Sequence, residues 1–258
     1  MSGSLLYETD AWIICVFLLV GMLGMLYLGL FFRRRFQKTI EGGLGAIESA
    51  LFGLLALILA FTFGQADSRY NQRRGVVIEE ANDIGTAILR SDMYVDSERV
   101  AFRNDFLKYV HSRISFYESG RNLETIKQSN DSSNLYTSRL WNRATRLSKD
   151  PANLAASNQM IPALNTMIDI TTTRNAALEA TLPESILLLL FSLSLICCFF
   201  IGYSVDDKKK LNRLAFAGFI ILITLVIFVI LDLDRPRRGF INLDRSQQHM
   251  KDLLQMLK

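Results

Sequence analysis

Four long stretches of this chain carry almost no charge, and they constrain its fold more than any other feature. Three of them lack Asp, Glu, Lys and Arg, and the second contains only Glu48; they are residues 11–32, 42–64, 185–204 and 214–231. A helix needs roughly 20 residues to cross about 30 Å of hydrocarbon at 1.5 Å per residue. The pattern therefore predicts an all-α integral membrane protein with four transmembrane helices.

The polypeptide between the second and third apolar stretches is predicted to form a helical domain outside the membrane. No proline interrupts residues 42–90, so the second helix is expected to continue beyond the membrane. Apolar side chains recur every three or four residues from Phe102 to Tyr117, as on one face of a helix. By contrast, residues 121–134 are polar and rich in Ser and Asn, which favours a loop.

The predicted division of the chain has four parts. Transmembrane helices 1 and 2 occupy residues 1–64, and the helical extramembrane domain occupies residues 65–182. Transmembrane helices 3 and 4 occupy residues 183–231, and residues 232–258 form a C-terminal interfacial segment. This last segment ends in a short amphipathic helix that suits the membrane interface or a partner subunit.

The short loops of the chain provide the orientation signal. Each of the loops 33–41 and 205–213 contains four basic residues. Under the positive-inside rule, such loops face the cytoplasm. The opposite side holds nearly as many arginines, so the prediction depends on the density of charge in the short loops. It places these loops in the cytoplasm and the central domain on the other side of the membrane.

The sequence argues against an enzyme and predicts neither a catalytic residue nor a metal or cofactor site. It contains two histidines, His111 and His249, and neither has a partner at metal-ligand spacing. It lacks the GxSxG, Walker, HExxH and dinucleotide-binding motifs. Glu79 and Glu80 are adjacent and point about 100° apart on a helix, which favours a charged surface over acid–base catalysis. The basic residues cluster at membrane edges, so no nucleic-acid partner is predicted.

Residues spaced by four along the second apolar stretch form a candidate pore lining. They are Glu48, Phe52, Ala56, Ala60 and Gly64. A charge such as Glu48 avoids lipid and seeks water or a partner, and Phe52 could form an apolar constriction. The alternative is ordinary helix packing, because Ala56, Ala60 and Gly64 form a track of small residues that permits close helix approach.

A second group of candidate residues follows the fourth apolar stretch. It consists of Asp232, Asp234, Arg235 and Arg238, and Pro236 within it is expected to end the helix at the membrane surface. One interpretation is an ion-paired helix stop. The other is a vestibule whose carboxylates concentrate cations.

Two segments of the sequence resemble the bacterial bestrophin-like family of membrane proteins. They are FTFGQADSRYNQRRGVVIEEANDIGTAILRSD after the second apolar stretch and LDLDRPRRGFINLDRSQQHMKDL after the fourth. With the four apolar stretches in matching positions, the resemblance covers nearly the whole chain. Bestrophins are pentameric ion channels with four membrane helices, a large helical domain between the second and third, and a pore lined by the second. The resemblance also implies a cytosolic helical domain, opposite to the charge-based orientation, and it does not extend to the calcium-binding acidic cluster of bestrophins.

Two functions are compatible with these features. The first is a subunit of a homo-oligomeric, pentameric ion channel in a bacterial inner membrane. Its partners would be the lipid bilayer, other copies of the chain and small monovalent ions, with cations slightly favoured by Glu48, Asp232 and Asp234. The alternative is a non-conducting membrane sensor or scaffold whose central helical domain, predicted to be periplasmic, binds a ligand or partner.

Overall fold

The computed structural model describes residues 5–36, 44–204, 213–236, 239–241 and 244–257. These residues form helices and no strand. The helices are α1 Leu5–Glu8, α2 Ala11–Phe36, α3 Leu44–Ser91, α4 Asp96–Glu118, α5 Leu123–Leu147, a 3-10 turn Pro151–Asn153, α6 Leu154–Glu179, α7 Glu184–Ser204, α8 Arg213–Leu233 and α9 Asp244–Met256.

Four segments of the described chain are helical, long and apolar enough to cross a membrane, and they contain α2, α3, α7 and α8. The prediction of an all-α, multi-pass membrane protein is confirmed. The helix α3 has 48 residues. At 1.5 Å per residue this is about 72 Å, more than twice the ~30 Å of hydrocarbon in a bilayer. Only part of α3 can therefore lie within the membrane.

The chain divides into two compact units. The first comprises Met1–Tyr70, Thr181–Arg235 and Gly239–Ile241, and the second comprises Asn71–Ala180, Pro236–Arg238 and Asn242–Lys258. The helices α2, α7 and α8 and residues 44–70 of α3 belong to the first unit. The second unit is built from α4, α5, α6, α9 and residues 71–91 of α3.

In the first unit, α2 and α7 pack with their backbones in direct contact. A Cβ atom added to Gly29 would overlap the carbonyl oxygen of Phe199, and one added to Gly202 would overlap the carbonyl oxygen of Leu26. Glycine is therefore required on both helices. Small residues permit this close approach between membrane helices, where packing rather than water exclusion drives association.

The described contacts also give the directions of the apolar helices. Gly21 lies against Leu195, and further along both helices Gly29 lies against Phe199. Because the contacts follow the same order on the two helices, α2 and α7 run in the same direction. Just before α2, Tyr7 of α1 donates a hydrogen bond to Asp234, one residue beyond the end of α8. Arg69 of α3 is 3.6 Å from the same carboxylate. Hence α3 and α8 run opposite to α2 and α7, as a chain that crosses a membrane four times requires.

The second unit has its own apolar core between α3, α4, α5 and α6. Among its fully buried side chains are Ile84, Phe102, Phe106, Leu140 and Leu164. The helix α9 adds Met250 and Leu253 to this core, and Leu253 lies against Gly85. The apolar face that the sequence assigned to the membrane interface or a partner subunit is thus covered within the second unit.

The expected loop at residues 121–134 is helical from Leu123 onward, so that prediction was wrong. The helix α5 begins at Leu123, where the Asn122 side chain accepts hydrogen bonds from the amides of Glu124 and Thr125. Further along, Ser129 and Ser133 are buried against α4. A good N-cap and tertiary packing therefore outweigh the low helix propensity of Ser and Asn.

Candidate functional site

The part of α3 in the first unit is the most open of the apolar helices. Of the residues in its most apolar stretch, 11% are buried within the chain. The corresponding share is 28% in Ala11–Arg35, 44% in Pro151–Ser204 and 33% in Leu214–Leu233. One face of α3 is packed, with Leu55, Thr62 and Ala66 buried. The remainder of the helix surface is available to lipid, water or another copy of the chain.

One strip of the open face of α3 consists of small residues. Gly53, Ala56, Ala60 and Gly64 are exposed. A Cβ atom added to Gly53 or Gly64 would meet no atom of the described chain within 4 Å. Gly53 was not among the residues singled out from the sequence, although its position one turn before Ala56 places it on this face.

The five candidate pore residues do not lie on one face within the chain. Glu48 and Phe52 are half-buried, and the ring of Phe52 packs edge-on against Phe219 of α8 with 5.5 Å between centroids. Ala56, Ala60 and Gly64 are exposed. The cause is geometric, because each step of four residues advances about 400° around a helix and so drifts by about 40°. Over the four steps from residue 48, the row moves from the packed side to the open side.

Glu48 has an unmet hydrogen-bonding requirement. Its Oε1 atom is buried and has no hydrogen-bond partner among the described residues. A carboxylate at such a position in an apolar helix needs water, a proton or a partner from another chain. This observation supports the prediction that Glu48 has a role beyond packing, and its pore role stays a prediction.

Asp234 joins four separate segments of the first unit. Its carboxylate accepts hydrogen bonds from the Leu182 amide at 2.7 Å and from the Tyr7 hydroxyl at 2.9 Å. Arg69 provides the nearby positive charge. Burial, reinforced by the charge of Asp234, raises the pKa of Tyr7 well above its ordinary value. The Tyr7 hydroxyl therefore keeps its proton and acts as a donor.

Asp232 and Arg235 are likewise occupied within the chain. Asp232 accepts hydrogen bonds from the amides of Phe240 at 2.9 Å and Ile241 at 2.8 Å, which fixes the turn after α8. Arg235 donates to the carbonyl oxygens of Leu6 and Thr9. These partners favour the interpretation as a helix stop over a vestibule. The fourth vestibule candidate, Arg238, lies outside the described residues.

A buried ionic cluster in the second unit was missed by the sequence interpretation. Glu80 is fully buried, and Arg113 and Arg174 are each 2% exposed. Arg113 Nε donates to Glu80 Oε1, while Arg174 Nη1 at 2.7 Å and the Tyr117 hydroxyl at 3.0 Å donate to Oε2. The rings of Tyr117 and Phe116 lie against Arg174, with 3.4 and 4.7 Å to their centroids. The cluster connects α3, α4 and α6.

The prediction that Glu80 belongs to a solvated surface was wrong, and the electrostatics of the cluster explain how it is buried. Burial alone would lower the pKa of Arg113, but the charge and hydrogen bond of Glu80, together with Tyr109 and Tyr117, raise it overall. Burial and the Glu80 charge raise the pKa of Tyr117 well above its ordinary value. Arg113 therefore stays charged and Tyr117 stays protonated, so both remain donors to Glu80. A sequence signal existed, because Glu80 is spaced by three and four from the buried residues Val77 and Ile84.

With this geometry described, comparison with known proteins identifies the family. The bestrophin-like domain matches residues 15–248. The chain belongs to the bestrophin-like family. The resemblance inferred from two sequence segments is thereby confirmed, and it supports a family of the ion-channel type.

Solved structures of bestrophin homologs show the same fold. One is a single-substitution variant of a bacterial bestrophin homolog from Klebsiella pneumoniae, with 14% identity and a TM-score of 0.73 over 94% of this chain and 98% of that chain. A second variant of that homolog has 13% identity and a TM-score of 0.72 over 93% and 99% of the two chains. No curated protein matches this bestrophin-like chain in sequence.

Proposed function

We propose that the protein is a subunit of a homo-oligomeric ion channel whose pore is lined by α3. The observation that carries the proposal is the open face of α3 in the first unit. An apolar helix that faced lipid there would be expected to present large side chains, as α2 does with Phe17, Val20 and Phe31. The small residues Gly53, Ala56, Ala60 and Gly64 suit a water path or another copy of the chain.

The residues beside this face suit contacts between subunits. Leu54, Leu57 and Phe61 are exposed along a neighbouring strip of α3. In a ring of subunits, one strip would face the axis and the other would pack against an adjacent copy or lipid. Five copies are proposed, by analogy with the family.

We propose small monovalent ions as the permeant species, with a preference for cations that depends on Glu48. The carboxylates of Asp232 and Asp234 already accept hydrogen bonds within the chain. Glu48 carries the acidic charge within the apolar part of α3; its half-buried side chain lies off the open face, so it is proposed to act on ions through its charge near one end of the path. A ring of such carboxylates around a pore raises the local concentration of cations.

Replacing Glu48 with Gln is expected to lower the cation-to-anion permeability ratio by roughly threefold or more, because it removes the charged ring. The ratio is obtained from reversal potentials of purified protein in planar bilayers under a salt gradient. Glu79→Gln is a matched control, since Glu79 is an exposed residue of the second unit. It should leave the ratio unchanged.

If the Glu48→Gln variant kept the wild-type permeability ratio, Glu48 would not contribute to ion selectivity. Wild-type protein that passes no current under varied voltage, pH and calcium would contradict the channel itself. That result would favour the alternative of a membrane sensor or scaffold.

A further inference from the structure

A polar groove runs between α4 and α5 in the second unit. Its volume is about 400 Å³, which lies in the range of small-molecule sites. Nine residues line it, and seven of them carry a hydroxyl or amide group that can form hydrogen bonds. No residue of the buried ionic cluster contributes to it.

The groove exists because the contact between α4 and α5 changes character along its length. At one end, large side chains such as Phe106 and Leu140 fill the space between the helices. At the other end the contact consists of serines, with Ser112 and Ser133 Oγ atoms 2.8 Å apart. Side chains this small cannot fill the space that Leu or Phe would occupy. The helices therefore pack closely and still leave the open, polar groove beside the serines.

Several hydrogen-bond donors in the groove remain available. Ser129 donates to Ser115 Oγ at 3.1 Å, which leaves the hydroxyl hydrogen of Ser115 for another acceptor. The hydroxyls of Thr125 and Ser132 make no hydrogen bond to another described residue. Lys108 is exposed at the groove and forms no ion pair within the described chain; its Nζ lies 5.9 Å from the centroid of the Tyr136 ring.

These groups favour an anionic ligand with several oxygen acceptors. Hydroxyl donors and an ammonium group are suited to phosphate oxygens, and hydrogen bonds to a charged acceptor are stronger than neutral ones. Two acidic side chains lie near the groove: Glu118 on the adjoining surface is paired with Lys251 at 2.7 Å, and Glu124 accepts a hydrogen bond from the lining residue Gln128 at 3.4 Å. We propose that the groove binds a small phosphate monoester. The proposal concerns the second unit alone and holds whether or not α3 lines a pore.

Isothermal titration of the full-length protein in lipid nanodiscs tests the proposal, with glucose 6-phosphate as the probe. We expect saturable binding with a Kd below about 1 mM. Lys108→Met should weaken binding about tenfold, and Ser132→Leu should abolish it by filling the groove. Lys127→Met and Ser138→Leu are matched controls, because both residues are exposed on α5 and neither lines the groove. Circular dichroism verifies that the four variants melt like the wild type.

Two further titrations define what is recognised. Unphosphorylated glucose should not bind, and inorganic phosphate that binds as tightly as the sugar phosphate would support recognition of the phosphate group alone. The proposal would be overturned if neither glucose 6-phosphate nor inorganic phosphate showed saturable binding. It would also be overturned by glucose binding as tightly as glucose 6-phosphate, or by Lys108→Met and Ser132→Leu binding like their controls.

Discussion

Replacing Glu80 with Gln will lower the free energy of unfolding by about 3–5 kcal/mol, because it leaves two buried charges without a counterion. Arg113 and Arg174 both depend on this carboxylate, and each is 2% exposed. Gln preserves the size of the side chain and can accept a hydrogen bond, so the loss reports the missing charge. For a chain of this length the change corresponds to a fall in Tm of about 6–20 °C.

Circular dichroism of the full-length protein in detergent micelles measures this change, with Glu79→Gln as the control. Glu79 precedes Glu80 on the same helix but is exposed, so its replacement should alter the free energy of unfolding by less than about 0.5 kcal/mol. Equal Tm values for the two variants would show that the cluster does not stabilise the second unit.

Replacing Gly202 with Val is expected to be the most damaging single change in the first unit. Its side chain would overlap the Leu26 carbonyl on α2, and the helices can relieve this overlap only by moving apart. The expected cost is at least about 3 kcal/mol, with loss of the monodisperse peak on size-exclusion chromatography.

The same substitution at Gly218 of α8 is the control for helix propensity. A Cβ atom at Gly218 would have no neighbour within 4 Å in the described chain, so Gly218→Val should keep the wild-type elution profile and a similar Tm. If Gly202→Val melted and eluted like Gly218→Val, the backbone contact between α2 and α7 would not be needed for folding.

The membrane helices could be predicted because their signal is local. Uninterrupted apolar residues are sufficient to locate a spanning helix, and the absence of proline from residues 42–90 was sufficient to predict the length of α3. Sidedness stays a prediction. The hydrogen bond from Arg33 to the Tyr203 carbonyl shows that the C-terminal ends of α2 and α7 lie together.

The second unit was harder to predict because tertiary contacts determine which polar residues are buried. Glu80 depends on Arg113 and Arg174, which lie 33 and 94 positions further along the chain. The expected loop at residues 121–134 is a helix because its serines meet serines of α4. Neither set of partners is visible in a local pattern.

Only some of the candidate functional residues could be located from the sequence. A spacing of four placed Ala56, Ala60 and Gly64 on the open face of α3, but the drift of that row put Glu48 and Phe52 toward the packed side. Charge alone suggested a vestibule at the end of α8. The long-range partners of these side chains instead favour a helix stop. The pore and vestibule assignments stay predictions.

The central claim is that α3 lines a pore in a homo-oligomer, and the most direct test is single-particle electron cryomicroscopy of the full-length protein in lipid nanodiscs. The claim predicts a closed ring of identical subunits in which Gly53, Ala56, Ala60 and Gly64 of every copy face a continuous axial path. A monomer or dimer would contradict it, as would a ring in which the open face of α3 is in contact with lipid.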